Sequence, residues 1–155
     1  MNASLETTLQ SVLAAAPVPV QLTAGSQWPE LVVAPDDWPT LAPFLRDHAE
    51  LRLDFMFCLT CVDWKTHLTM VYHLNNSSCE RVVVVKSVLD RQQPRVASVA
   101  NIWRTAEFHE REVYELFGVH FVGHPDLRLL ILPEGWEGRN PLRKDFEDPV
   151  NMIRL

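Results

Sequence analysis

Apolar positions in this chain follow a helical period at the start, give way to nearly unbroken apolar runs in the middle, and return to a helical period after residue 100. Leu5, Leu9, Val12 and Leu13 fall on one helical face, and Pro17, which cannot donate a backbone hydrogen bond, ends that first helix. Leu31-Val32-Val33 reads as a strand. Asp36 or Asp37 then caps a second helix with Pro39 in its first turn and Leu41, Phe44, Leu45 and His48 facing inward, while Pro43 is placed to delay its start. Leu53 to Trp64 is rich in aromatic and strand-favouring residues and predicts a central strand covered on both faces. Leu68 to Leu74 predicts a second strand, Asn75-Asn76-Ser77-Ser78 supplies turn chemistry, and Val82 to Leu89 predicts a third. Residues 53–89 therefore read as an antiparallel meander, followed by a polar connection at Asp90 to Pro94.

A charged helix predicted from about Thr105 to Phe117 carries two patterns at once. Glu110, Val113, Tyr114 and Phe117 fall at i, i+3, i+4 and i+7, while Glu107, Arg111 and Glu115 fall at i, i+4 and i+8 on another face. Charge is thereby packed into a helix that must be partly buried. Gly118 can take the left-handed conformation that closes a helix, and the following His-Phe-Val-Gly-His-Pro does not continue one. From Pro133 to Leu155 periodicity vanishes while Arg, Asp, Glu and Pro accumulate. The expected architecture is α+β and two-layered: residues 1–132 form a mixed, mainly antiparallel sheet with helices packed on one face, and residues 133–155 form an extended tail laid against a partner.

Composition narrows the function classes. At 155 residues one domain is expected, and a net charge of -6 gives no basic surface for nucleic acid. Arg128, Arg139, Arg143, Lys144 and Arg154 nevertheless concentrate positive charge near the C-terminus, mixed with acids, which suits a protein partner better than a polyanion. No segment approaches the ~20 apolar residues of a membrane-spanning helix. The opening Met-Asn-Ala-Ser-Leu-Glu lacks the cationic start of a signal peptide, and three cysteines suggest reduced thiols in a cytosol.

Candidate chemistry is sparse. Cys58 and Cys61 have metal-pair spacing, but on a strand positions three apart point to opposite faces, and with Cys79 alone left over a four-thiolate site is not available. His109-Glu110 opens like a zinc-protease helix, yet Val113 stands where the second histidine belongs. His120 and His124 are four apart outside a helix, and His124 is better suited to a hydrogen bond fixing the turn Gly123-His124-Pro125-Asp126, with Asp126 binding local backbone amides. Glu110, Glu112 and Glu115 with Arg111 could form an acid/base cluster. No nucleophile motif or glycine-rich phosphate loop accompanies them.

Three linked segments carry more information. Glu110-Arg111-Glu112-Val113-Tyr114-Glu115-Leu116-Phe117-Gly118, then Gly123-His124-Pro125-Asp126-Leu127-Arg128, then Pro141-Leu142-Arg143-Lys144-Asp145-Phe146 closely resemble the 30-kDa subunit of NADH-quinone oxidoreductase, respiratory complex I. The strong resemblance spans Trp103 to Phe146, and a weaker one covers Val62-Asp63-Trp64 and Val71-Tyr72-His73-Leu74. Phe108 replaces the usual Trp, Leu129 a common second Arg, and the loop at Glu137-Gly138-Arg139-Asn140 is one residue longer than usual.

The resemblance implies a non-catalytic subunit of the hydrophilic arm, peripheral on the cytoplasmic face of the inner (plasma) membrane. It would brace a large hydrogenase-like subunit at the quinone site, beside an iron-sulfur neighbour, in NADH-to-quinone electron transfer coupled to proton translocation. Flavin, iron-sulfur clusters and quinone belong to that assembly, and none to this chain. The implied partner interface comprises Glu110, Arg111, Glu112, Tyr114, Glu115, His124, Pro125, Asp126, Arg128, Trp136, Pro141, Leu142, Arg143, Lys144 and Asp145, with Arg111 paired between Glu107 and Glu115. The same family supplies membrane-bound hydrogenases and formate hydrogenlyases, which stand as the alternative. A free-standing enzyme using Glu110, Glu112 and Glu115 is the remote third.

Overall fold

A computed structural model places residues 3–23, 27–79 and 81–148. In chain order the elements are α1 (Ala3–Leu13), β1 (Gln21–Thr23), β2 (Glu30–Val32), α2 (Trp38–Asp47), β3 (Phe55–Asp63), β4 (His67–Asn76), β5 (Arg81–Asp90), β6 (Arg95–Ala97), α3 (Ala106–Phe117) and β7 (His120–Val122). β3, β4 and β5 form the antiparallel meander. β2 adds to β5 in parallel and β1 to β2 antiparallel, giving the order β1-β2-β5-β4-β3. The sheet is thus mixed and mainly antiparallel, as the pattern predicts.

One expectation fails here. The run from Leu53 to Trp64 forms an edge strand and not a central one. Met56, Leu59, Cys61 and Asp63 of β3 are buried while Phe55, Phe57 and Thr60 are exposed, an interrupted alternation with a register shift between Met56 and Cys58. The central places belong to β4 and β5, each paired on both sides. The run looks continuous because its outward positions are also apolar, so composition alone does not report which face is covered.

All three helices share a core with the inward residues of β3, β4 and β5: Leu5, Leu9 and Val12 from α1, Trp38, Leu41 and Leu45 from α2, and Val113 and Phe117 from α3. Trp38 lies between Tyr72 and Trp103, with ring centroids 4.7 and 6.1 Å away, and Trp103 anchors itself by donating Nε1–H to the Leu53 carbonyl at 2.9 Å. The opposite face of the sheet is a concavity of about 550 Å³ lined by valines and threonines, with Trp28 and Trp64 among its walls. Pro39 starts α2 as expected and Pro43 lies inside it, whereas the predicted cap Asp37 makes no side-chain bond. The three-residue strands β1, β6 and β7 went unpredicted. β6 and β7 pair in parallel as a separate small sheet.

The segment after Pro133 has no helix or strand among the described residues, and its inner edge rests on the chain itself. Gly118 closes α3 at φ 73° with its N–H on the Tyr114 carbonyl. Leu142 N–H then donates to the Leu116 carbonyl at 3.1 Å and Arg143 Nε to the Phe117 carbonyl at 2.7 Å. These bonds satisfy acceptors that a helix end leaves open, and they put a cation where the helix dipole is negative. Asp63, at the end of β3, accepts both Arg91 Nε and Nη2 at 2.9 Å and the N–H groups of Lys65 and Lys144. Arg91 also pairs with Asp145 at 2.6 Å. Residues 149–155 of the expected tail lie outside the described residues.

Stability should respond to two of these features. At Gly118 an alanine Cβ would meet the Asn140 side chain at 2.8 Å in a backbone conformation that L-residues disfavour by ~1–2 kcal/mol, so Gly118→Ala should lose at least that much in denaturant unfolding. The Arg91 guanidinium holds the Asp63 carboxyl well below the usual carboxylate range. A lowered folded-state value stabilises the fold above the unfolded value of about pH 4, and that stabilisation disappears as pH falls. Unfolding curves taken from neutral to acid pH should therefore show an acid decline that Asp63→Asn makes shallower while lowering stability at neutral pH.

Candidate functional site

The charged side chains of α3 reach inward and take hold of backbone. Glu110 is 0 % exposed and accepts the Ser98 hydroxyl at 2.5 Å and the Val99 N–H at 2.8 Å. Burial pushes its carboxyl up to about 7, against the pull of those two donors. One position on, Arg111 donates Nε to the Arg128 carbonyl at 3.1 Å and Nη2 to the Leu129 carbonyl at 2.7 Å. One turn further, the buried Glu115 accepts the N–H groups of Leu130, Ile131 and Leu132 at 2.8, 2.9 and 3.2 Å. Five consecutive residues of one loop are thus clasped from the helix, carbonyls by the cation and amides by the anion.

Within the chain, the pairing expected of Arg111 is not formed. Arg111 does not bridge Glu107 and Glu115, although the i, i+4 spacing would permit it. The loop from residue 128 to 132 belongs to no strand, so its polar backbone groups need partners wherever the fold covers them. Charge-assisted bonds to those groups outcompete a surface pair, which is worth ~0–1 kcal/mol.

His124 works in the same way. Its Nδ1 accepts the Asp126 N–H at 3.0 Å and its Nε2 lies 3.0 Å from the Glu107 carbonyl, which accepts only if the ring hydrogen sits on Nε2. The hydrogen bond expected to fix this turn is present. Asp126 departs from expectation, because its carboxylate takes Arg128 Nε at 2.8 Å in place of local amides.

The predicted interface residues therefore divide. Glu110, Arg111 and Glu115 are buried in the chain, and Arg143 and Asp145 are engaged with the Phe117 carbonyl and Arg91. Glu112 and Tyr114 are half-buried, as are Trp136 and Pro141, and Trp136 stacks under the Arg139 guanidinium at 4.8 Å. Pro125, Asp126, Arg128, Leu142 and Lys144 are exposed, Lys144 lying 5.9 Å from the Trp64 ring. Phe108 at 57 % exposed, Ile131 at 65 % and Leu130 beside it complete an apolar surface that was not predicted. Arg111 links its parts, with its guanidinium 6.0 Å from the Phe108 ring while it holds the Leu129 carbonyl. The available signal was the apolar run Leu129-Leu130-Ile131-Leu132 standing between Arg128 and Pro133.

Among the described residues no group of three or more His, Cys, Asp or Glu side chains could hold a metal ion. Cys61 is in the core with its thiol pushed up to about 12 by burial, Cys58 is raised by burial as well, and Cys79 is exposed. No helix among the described residues is long and apolar enough to cross a membrane.

Residues 31–150 match the family model for the respiratory-chain NADH dehydrogenase 30-kDa subunit. The NADH-quinone oxidoreductase C subunit of Chlorobium phaeobacteroides is 44 % identical over 119 residues, covering 75 % of this chain and 71 % of the relative. The NADH-quinone oxidoreductase C/D subunit of Phocaeicola vulgatus is 44 % identical over 106 residues, 67 % of this chain but only 20 % of that longer protein. Among solved structures, the membrane-bound sulfane sulfur reductase, an archaeal respiratory membrane complex, contains a chain that superposes with a TM-score of 0.75 at 27 % identity, covering 92 % of this chain and 85 % of that one. A trypsin-resistant fragment of Nqo5 shares the fold with a TM-score of 0.64 at 24 % identity, covering 79 % of this chain and 98 % of the fragment. The chain belongs to the family of the 30-kDa subunit of respiratory-chain NADH dehydrogenase.

Proposed function

We propose that this chain is a non-catalytic scaffold subunit of an NADH-quinone oxidoreductase, bracing the large hydrogenase-like subunit beside the quinone site and its iron-sulfur neighbour on the cytoplasmic face of the membrane. The observation that carries the reading is the clasped loop. Two buried charged side chains immobilise the backbone of residues 128–132, yet its apolar side chains Leu130 and Ile131 are left in water. A rigid loop presenting apolar side chains loses little conformational freedom on docking, which favours affinity. Phe108 extends this surface along α3, and Trp136 and Leu142 add apolar groups from the tail, the first of a type enriched at binding hot spots. Glu110, Arg111 and Glu115 act from beneath as positioning residues, while Glu112, Tyr114, Pro125, Asp126, Arg128, Pro141 and Lys144 form the polar surround. Flavin, iron-sulfur clusters and quinone would be carried by the partners, and this chain would keep donor and acceptor at fixed separation.

A second reading, an equivalent place in a membrane-bound reductase or hydrogenase that does not use quinone, draws on the likeness to the sulfane sulfur reductase chain. Purification of the native assembly separates the two. Flavin content with NADH-quinone activity supports the first, and nickel with hydrogen evolution, or sulfur reduction, the second.

The docking surface is tested by Ile131→Asp and Phe108→Asp. Both side chains are exposed, so the free chain should keep its stability within ~0.5 kcal/mol. Recovery of the chain with its partner subunits should fall at least tenfold. Wild-type recovery with both variants would remove this surface from the interface. Arg111→Ala should act differently, because it strips two carbonyls of their donor. A loss of ~1–3 kcal/mol in the free chain is expected together with weakened assembly, and unchanged stability would show that the clasp does not hold the loop.

A further inference from the structure

We propose that Glu110, Ser98 and His124 form a buried site for one exchangeable proton, seated on the Glu110 carboxyl, and that this site ties α3 to the two segments that follow β6 and β7. The Glu110 and His124 side chains of this site are buried in the chain, and none of its three residues is among the exposed apolar side chains proposed for docking.

The side chains of Glu110 and His124 are both fully buried, with Nε2 and Oε2 3.9 Å apart. Ser98 and Val99, which follow β6, give Glu110 its two donors. From β4 comes Tyr72, fully buried, whose hydroxyl has no hydrogen-bond partner within ordinary geometry among the described residues, and Cys61 of β3 lies near Tyr72. On α3 itself Arg111 is turned away to the loop carbonyls, and Glu107 contributes its carbonyl to His124. Apart from the His124 ring, none of these groups can set a cation against Glu110.

A buried carboxylate without a counter-ion is costly even with two donors, so the neutral acid competes with it. The bond to Ser98 accommodates both forms. Ionised, Glu110 accepts the Ser98 hydroxyl hydrogen. Protonated on Oε2, it donates to Ser98 Oγ, which already accepts the Ala100 N–H at 3.2 Å, so the bond reverses in place.

His124 is the other possible seat and the poorer one. With its hydrogen on Nε2 facing the Glu107 carbonyl, its free lone pair is on Nδ1, and that lone pair accepts the Asp126 N–H. Transfer of the proton from Glu110 to Nδ1 would leave a carboxylate and an imidazolium, conserving charge, but would break the Asp126 bond that shapes the turn. The turn bond therefore keeps the proton on the acid. Burial raising Glu110 to about 7 agrees with that placement. The sign is opposite to that at Asp63. A folded-state value raised above the unfolded one gives stability that is complete below the unfolded value and is lost as pH rises through the folded value.

The test is a nuclear magnetic resonance titration of the full chain, following the Glu110 carboxyl carbon, the His124 ring nitrogens and the amides of Val99 and Asp126. Glu110 should ionise near neutrality, and Val99 and Asp126 should follow its curve. Ser98→Ala removes a donor to the ionised form and should move the step upward. Glu110→Gln should abolish it. Ionisation of Glu110 together with ordinary carboxylates at about pH 4, or the step appearing on the His124 ring, overturns the proposal. The wild-type titration and Ser98→Ala decide it even if Glu110→Gln does not fold.

Discussion

Everything on the functional side of this molecule depends on satisfying the backbone of a loop that has no strand to pair with. Residues 128–132 pass over α3, and Arg111 and Glu115 supply the bonds that a neighbouring strand would otherwise supply. Their charges are directed at dipoles and not at each other, which explains how a helix can bury an arginine and two glutamates without a paired cluster. A neutral side chain at either position would be a weaker partner for the same groups. The result is a loop whose backbone groups are bonded to α3 while its Leu130 and Ile131 side chains remain exposed.

The tail is fastened by similar means. Arg143 and Leu142 occupy the open end of α3, and Arg91 joins Asp63 of β3 to Asp145, so the chain returns across both the helix and the sheet edge. Gly118 suits that return, since its φ is positive and a Cβ there would come within 2.8 Å of the Asn140 side chain. Helix closure and tail docking thus depend on one residue. Asp63 and Glu110 pull stability in opposite directions with pH, the first weakening in acid and the second with rising pH, because one carboxylate is hydrogen-bonded to a guanidinium and the other is desolvated by burial.

The meander, the three helices, the closure at Gly118 and the motifs that identify the family are all legible in the residues, because each is written in local periodicity, turn chemistry or a linear run. Glu110, Arg111 and Glu115 stand out there too, as charges in a helix that must be partly buried, and His124 stands out in the turn Gly123-His124-Pro125-Asp126. Their partners are not legible. Arg111 and Glu115 sit one turn apart and look like an ion pair, but the groups they hold lie on a loop whose position depends on β7 and the turn at Gly123, and backbone carbonyls and amides leave no trace in residue identity. For the same reason β3 reads as central, because coverage of an apolar face is a property of the neighbouring layer. The three-residue strands β1, β6 and β7 are too short to carry a period. Tertiary packing alone brings Phe108, Leu130 and Ile131 to one surface, since only the seating of the loop on α3 decides which side chains of an apolar run remain in water.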